Sequence, residues 1–492
     1  MTDELSSPAA GSAAGAAGRS WVRAVVTEPP FVNTESTPAG IEADDPQPPL
    51  ADDPQRPLAD DPQRASAESP KKKRLYRARW GFLAACLLIC FVALGGLWVA
   101  VHTIPWTGPL VANSLRAVVG KENVTALEDF VYSIEDQVNR TFRSGSAPKA
   151  YWKIPEKAAK KTTPAAPIPA HEKGADEAAQ PAVAPAKPPL TAFEPLDPGP
   201  VHTSWSAEGD GVWVPMHDPR RPQEEPRLWK TLLHPDSSRS WSELFVVAVD
   251  LRQVAVLPVM GYQEPKTDKK EAEGYHRSAK IPTKHYSALL AAFNGGFMAE
   301  HGGYGVYFDG IVFIDPKDDA CTLAHYEDGR FEIASWSAIK SDQARMRWYR
   351  QAPHCMFEDG KMHPQLKLHR ARKWGATLDG NTVIRRSAVG LNEDRSILYV
   401  GISNHTTAKV MASGMHHAGA HDVAQMDVNW SYPKFVTYEP GKDDKLHPVA
   451  LADGFEFSDD LYLRERSMRD FFYLARKEEL DAATNEPTPA SP

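Results

Sequence analysis

The stretch Leu289-Leu-Ala-Ala-Phe-Asn-Gly-Gly-Phe297, continued through His301-Gly-Gly-Tyr-Gly-Val-Tyr-Phe-Asp-Gly310, decides how this chain is read. A short apolar run bounded by turn residues reads as a buried strand. It runs into a glycine-rich turn and then into a hairpin closed by Asp309-Gly310, a dipeptide that suits tight two-residue turns. Glycine has no Cβ, so the backbone at Gly295 and Gly296 can approach a ligand closely, and successive amides there can form a nest for an anion. Asn294 stands at the mouth of the turn. The spacing matches neither a nucleotide P-loop nor a dinucleotide fingerprint, and glycines needed only for turning are the competing reading.

Working outward, Glu243-Leu-Phe-Val-Val-Ala-Val-Asp250 and Gln253-Val-Ala-Val-Leu-Pro-Val259 read as two strands of a hairpin. Asp-Gly pairs recur at 309–310, 328–329, 359–360 and 379–380, each between strand-like runs. Repeated hairpins imply an α+β fold with a mostly antiparallel sheet and a few helices. Helical stretches are expected over Ser337–Arg350, Ala408–Ala418 and Asp459–Arg469.

This folded domain is expected over 201–477, with a frayed tail at 478–492. Before it the chain changes character. Among 492 residues there are 42 prolines, and residues 1–70, with a near-repeat of Ala-Asp-Asp-Pro-Gln from Ala43, hold too few apolar residues to offset the entropy of ordering. We expect a disordered segment there. Residues 71–102 hold a basic flank and then an uncharged run, Trp80–Val101, long enough to cross a bilayer core of about 20 residues. Lys71, Lys72, Lys73, Arg74, Arg77 and Arg79 precede the run and no Lys or Arg follows until Arg116, which puts the N-terminus in the cytoplasm. The expectation is a single-pass anchor of signal-anchor type, with the C-terminal domain periplasmic or extracellular.

Within 103–143, Thr125-Ala-Leu-Glu128 has a capping-box pattern, and Leu127, Phe130, Val131, Ile134 and Val138 recur at helical spacing. An amphipathic helix over 125–143 follows, its stripe fitting a second copy of the chain or the membrane surface. Residues 144–200 are rich in Ala, Pro and Lys and read as a semi-rigid linker. The net charge of −8 gives no argument for nucleic acid. Of four cysteines, two lie in the apolar run, leaving Cys321 and Cys355 as a disulfide candidate or as two buried thiols.

Two further stretches carry polar groups suited to chemistry. In Val383-Ile-Arg-Arg-Ser-Ala-Val-Gly-Leu391, Arg385 and Arg386 face opposite sides of a strand, and an inward guanidinium suits a phosphate or a buried ion pair. A strand Asp422–Asp427 leads into Val428-Asn-Trp-Ser431, the placement where rigid scaffold meets accessible loop. His416, His417 and His421 invite a zinc reading, but Gly419 ends the helix between them, and no metal or other cofactor is expected.

Taken in order, Ala-Ala-Phe-Asn294-Gly-Gly-Phe297, Gly305-Val-Tyr-Phe-Asp-Gly310, Arg386-Ser-Ala-Val-Gly390, Gly419-Ala and Met426-Asp427 resemble the phosphodiester glycosidase family over about residues 205–440. Its members cleave a sugar from a phosphodiester link and include bacterial envelope proteins. The resemblance implies a hydrolase with Asp427, Asn294 and Arg386 as its working residues. Asp427 would support the sugar ring or activate water, Arg386 would hold phosphate, and Asn294 would orient the substrate. Gly295, Gly296, Ser387, Asn429, Trp430, Ser431 and His301 would contact a carbohydrate or sugar-phosphate ligand. The family usually carries Asp-Gly-Gly-x-Ser, whereas this chain has Asp427-Val-Asn-Trp-Ser431. That departure implies either a different substrate, with Trp430 as a stacking platform, or a non-catalytic envelope protein that binds glycans or scaffolds partners through the same cleft.

Overall fold

The computed structural model describes residues 70–103 (side chains in part), 114, 121–154, 193–368, 374, 382–455 and 457–480. The expected disordered segment before Pro70, the tail from 481, the linker interior and the Asp379-Gly380 turn lie outside them; residues 478–480, expected to fray, are instead helical, with Glu478 paired to Arg227 and Glu479 to Arg221. The chain divides into two units, Met1–Gly81 and Phe82–Pro492. The described part of the first begins a 34-residue helix, Pro70–Thr103. Among the described residues, no helix is long and apolar enough to cross a membrane.

The second unit is built on three sheets whose strand pairs are all antiparallel among the described residues. The first has eight strands in the order Val214–Met216, Leu228–Leu233, Leu244–Asp250, Ile397–Thr406, Ile384–Leu391, Asp422–Val428, Phe357–Glu358, Lys361–Met362. The second runs Leu446–Ala450, Phe435–Pro440, Leu289–Asn294, Phe471–Arg476, Val254–Val259. The third runs Ile311–Ile314, Val306–Phe308, Met346–Ala352, Cys321–Tyr326, Phe331–Ser335. The fold is therefore sheet-rich α+β.

Burial explains the sequence patterns. On one face of the first sheet Val247, Val249, Val389 and Val400 pack with Phe293 of the second sheet and Leu323 of the third. On its other face Val246, Ala248 and Ala388 meet Met411, Ala412 and Met415 of the helix Ala408–His417. A strand buried on both faces needs apolar residues at every position, so 244–250 reads as a continuous run instead of an alternation. Thr407 caps that helix by accepting from the Val410 amide at 3.2 Å.

Several expectations are corrected. The strands Leu244–Asp250 and Val254–Val259 do not form a hairpin. The first already has Leu228–Leu233 and Ile397–Thr406 on its two edges, so the chain turns and enters the second sheet beside Phe471–Arg476. Helix over 337–350 is confined to Trp336–Ile339 and a 3-10 turn, Lys340–Arg345. Met346–Ala352 is a strand paired on both sides, because ladder bonds and burial of Trp348 and Tyr349 outweigh local helix preference. Residues 459–469 form turns, with Tyr462 at φ 62° stacked on Phe471; that left-handed residue interrupts any helix. The amphipathic helix begins at Lys121, four residues before the capping-box threonine.

The Asp-Gly turns behave as the dipeptide demands. Asp309 and Gly310 have φ of 54° and 79°, Asp359 and Gly360 of 51° and 68°, the paired positive dihedrals of the favoured hairpin turn. Cys321 and Cys355 form a disulfide across 34 residues. The linker's described ends pack on the domain: Tyr151 and Trp152 lie against Phe245, and Phe193 is buried with the helix-side core.

Candidate active site

The site forms where three segments meet: the end of the Leu289–Asn294 strand, the first-sheet strands at Ser387 and Asp427, and Arg469-Asp470 at the head of Phe471–Arg476. Asn294 is buried, and its Nδ2 donates to Ser387 Oγ at 2.8 Å and to the Gly295 carbonyl at 2.9 Å. Its Oδ1 accepts from the Lys434 amide at 3.1 Å. Ser387 passes the chain on, donating to the Asp427 carbonyl at 3.0 Å. An asparagine here uses one side chain to tie two sheets together, since it both donates and accepts.

Asp427 is buried, and its register explains its orientation. The pairs Arg386–Val428 and Ala388–Gln425 show a slip of one residue in the Asp422–Val428 strand. A bulge of this kind re-aims the side chain beside it. The Asp427 carboxylate accepts from Asn429 Nδ2 at 2.6 Å and from the Arg469 guanidinium. Burial pushes its pKa up, opposed by the positive charge of Arg469 and of His301. Asn429 also accepts from the amides of Ser431 and Tyr432, at 3.0 and 2.6 Å, and so shapes the loop. Arg469 stacks on the Tyr432 ring, 4.3 Å from its centroid, and the Tyr432 hydroxyl donates to the Asp470 carbonyl.

Sequence reasoning missed Arg469, Asp470 and Arg350. Asp470 and Arg350 are each 2–3% exposed, and Arg350 Nε donates to Asp470 at 2.9 Å. Their signal was two adjacent charged residues directly before the apolar strand Phe471-Phe-Tyr-Leu474, and an arginine inside a run of ring side chains at Trp348-Tyr349.

This pair corrects the reading of the glycine turn. The Gly295 amide donates to the Asp470 carbonyl at 3.0 Å, and the Gly296 amide to its carboxylate at 3.3 Å. The amides expected to cradle an external anion hold the protein's own aspartate. A Cβ on Gly295 would fall 2.2 Å from the Asp470 carbonyl oxygen, and one on Gly296 2.7 Å from the Arg350 guanidinium carbon. These glycines are required by the internal ion pair.

Arg386 is corrected as well. It is fully buried on the opposite face, where it donates to the carbonyls of Trp374, Thr406 and Thr382 and to Gln425 Oε1. Acceptors of the fold hold its fork on that face, so it does not reach the cleft at Asp427. Arg385 is the one on the Asn294 side. It donates to Asn404 Oδ1 at 2.7 Å and to the Gly454 carbonyl at 2.6 Å. Its guanidinium lies between the rings of Trp430 and Phe455, 4.7 and 4.8 Å from their centroids. Trp430 also lies 5.5 Å from the His405 ring, whose pKa burial pushes down to about 4, with Arg143 and Arg385 adding to the effect.

Lys434 adds another cation. Burial brings its ammonium down to about 8, and Arg385 and Arg469 push in the same direction. Asp427 therefore pairs with Arg469, with His301 near enough to influence it, while Lys434 feels the charges of Arg385 and Arg469. His416, His417 and His421 lie elsewhere: the first bonds the Ala420 carbonyl, the second the Gly199 carbonyl, and the third pairs with Asp422. No group of three or more metal-ligating side chains occurs among the described residues. A separate cavity of about 250 Å³ is lined by Asp218, Glu224 and Arg476, but those charges pair with one another.

No family model matches this chain, and neither does any curated protein. Solved structures resemble it distantly. The zebrafish N-acetylglucosamine-1-phosphodiester alpha-N-acetylglucosaminidase catalytic domain, auto-inhibited by its pro-peptide, is 13% identical with a TM-score of 0.32, over 54% of this chain and 88% of that one. A hypothetical protein from Synechocystis is 9% identical with a TM-score of 0.28, over 51% and 62%. A protein of Burkholderia pseudomallei described as exported is 11% identical with a TM-score of 0.29, over 47% and 74%. At these values the likeness is one of distant fold and assigns neither family nor activity.

Proposed function

We propose that the chain is a membrane-anchored, extracytoplasmic hydrolase of sugar-1-phosphodiesters, acting in the cleft at Asn294, Asp427 and Arg469. The observation that carries this reading is the bond chain from Asn294 through Ser387 to a buried Asp427 that pairs with Arg469 and feels the charge of His301. Hydrolysis at the anomeric carbon forms a bond from water oxygen to that carbon and breaks the carbon–oxygen bond to phosphate, which leaves with the bonding electrons. Phosphate is a weakly basic leaving group, so the site needs positive charge to receive it more than it needs a strong acid. Arg469, with Lys434 beside it, takes the phosphate role first given to Arg386. Phosphate competes with Asp427 for Arg469 and leaves the carboxylate to accept the proton of water, a task suited to a pKa raised by burial.

The anchor reading rests on the charge asymmetry about Trp80–Val101 and on exposure. Phe82, Leu87, Ile89 and Phe91 on the first helix are each 68–76% exposed, and a patch of that kind needs a lipid or protein partner. The disulfide between Cys321 and Cys355 suits an oxidising compartment.

A second reading, glycan binding without turnover, is favoured by Trp430, which sits in the Arg385–His405 stack where the family pattern has a glycine-rich segment. Sugar release from simple sugar-1-phosphodiesters by the full chain, compared with Asp427→Asn, separates the two. Release lost in the variant supports the hydrolase. Saturable sugar-phosphate binding with no release by the unmodified chain supports the second.

A further inference from the structure

The helix Lys121–Arg143 docks on the domain by its polar back. Asp136 takes a bidentate pair from Arg239, at 2.7 and 2.8 Å, and Asp129 accepts from Thr382 Oγ1 at 3.0 Å. Its apolar stripe faces away. Leu127, Val131, Ile134 and Val138 are 44–49% exposed, and Phe130 and Phe142 are 61% and 81% exposed. Val124 alone of the stripe is buried. A helix bound by its charged side with its apolar side outward reverses the usual burial of a surface helix.

The spacing of the stripe identifies its occupant. Val124, Leu127, Val131, Ile134, Val138 and Thr141 alternate three and four apart, the a and d positions of a heptad repeat. Valine fills every a position, and Leu127, Ile134 and Thr141 fill d positions; β-branched residues at a with leucine at d, as in the Val124–Leu127 turn, favour two strands. Asp129 and Asp136 then fall at f, directly behind the seam, so from Leu127 onward domain docking and helix pairing use opposite faces. Flanking charges point the same way. Glu128 and Glu135 both lie at e, where an antiparallel pair would set like charges together, whereas a parallel pair sets them against Phe130 and its neighbours at g.

We propose that this face is covered by the same helix of a second copy, in a parallel two-stranded coiled coil that carries one domain on the back of each strand. The proposal stands apart from the hydrolase reading. Its orientation draws also on the proposed anchor, since two copies inserted the same way, with helices starting 20 residues after Val101, are held parallel. A membrane surface is the weaker occupant: the helix carries five acidic and three basic residues, and lipid-surface helices are rich in Lys and Arg.

The test uses the full chain in its own membranes, with Cys86 and Cys90 replaced by serine and single cysteines placed at Val131→Cys (seam) and Asn139→Cys (position b). Under mild oxidation the seam cysteine is expected to give roughly tenfold more covalent dimer, because a disulfide requires close, in-register Cα atoms. Equal cross-linking at both positions, or none at Val131→Cys, overturns the proposal. Val131→Glu with Ile134→Glu is expected to abolish cross-linking through a reporter Val138→Cys; its retention also overturns the proposal. Absence of sugar release by the chain with cross-linking intact would count against the hydrolase alone.

Discussion

Asn294 and Ser387 lie 93 residues apart in the chain and are joined by a 2.8 Å hydrogen bond between the second sheet and the first. The bond is buried at both ends. Ser387→Ala leaves Asn294 Nδ2 with only the Gly295 carbonyl, and a buried donor that loses a partner costs about 1–3 kcal/mol. Urea denaturation should show that loss in the midpoint with an unchanged slope. An unaltered midpoint would mean the bond contributes nothing to joining the sheets.

Asp427, Arg469 and Arg386 separate by kinetics and stability. Asp427→Asn should reduce sugar release by about 100-fold or more, as for loss of an acid–base group. Arg469→Ala should lower kcat and raise KM together, since it removes the phosphate contact. Arg386→Ala should instead destabilise the fold by about 3–5 kcal/mol through unpaired carbonyls and a cavity, with normal turnover per folded molecule. Steady-state kinetics beside thermal melts distinguishes these outcomes; reversal of the Arg386 and Arg469 effects would restore the strand arginine to the site.

Lys434 gives a pH-dependent stability of defined sign. Its folded pKa, about 8, lies below the ordinary lysine value of 10.5. The unfolded chain therefore holds that proton more tightly, and folding is penalised wherever the unfolded lysine is charged and the folded one resists charge. The penalty is complete below pH 8, declines as pH rises, and vanishes above 10.5. Lys434→Met should raise the melting temperature at pH 7 and lose that advantage by about pH 10.5. A gain that is constant with pH would assign the effect to packing.

The Cys321–Cys355 bond closes a loop of 34 residues, and a loop of that length is worth about 3–4 kcal/mol in the chain-entropy account. Replacing both cysteines with serine should lower stability by that order in chemical denaturation. Intact mass before and after reduction checks the bond directly, and protein from an oxidising compartment with two free thiols would refute it.

Much of this architecture was legible along the chain. Asp-Gly at 309–310 and 359–360 marked hairpins because only certain residues accept paired positive dihedrals. The helix after Thr407 and the strands on either side of 392–396 were local matters of capping, period and turn residues. So was the candidate disulfide, since only two cysteines lay outside the apolar run. What local pattern leaves open is which strand lies beside which. Leu244–Asp250 and Val254–Val259 are neighbours in sequence and belong to different sheets, because ladder edges are filled by whatever strand buries the most surface.

The site divides along the same line. The sequence by itself determined that Asn294 and Asp427 are polar residues at strand ends, and Ser387 one within a strand, in a mostly apolar framework. Only the tertiary structure decided what they meet. A single bulged register in the Asp422–Val428 strand carries Asp427 to Arg469, and strand parity sends Arg386 into the far core and Arg385 toward Trp430. Asp470 and Arg350 fill the glycine turn from 174 and 54 residues beyond Gly296. Turns and periods are set by each residue's own dihedrals and its nearest neighbours, whereas a buried charge is placed by partners that folding brings from elsewhere in the chain.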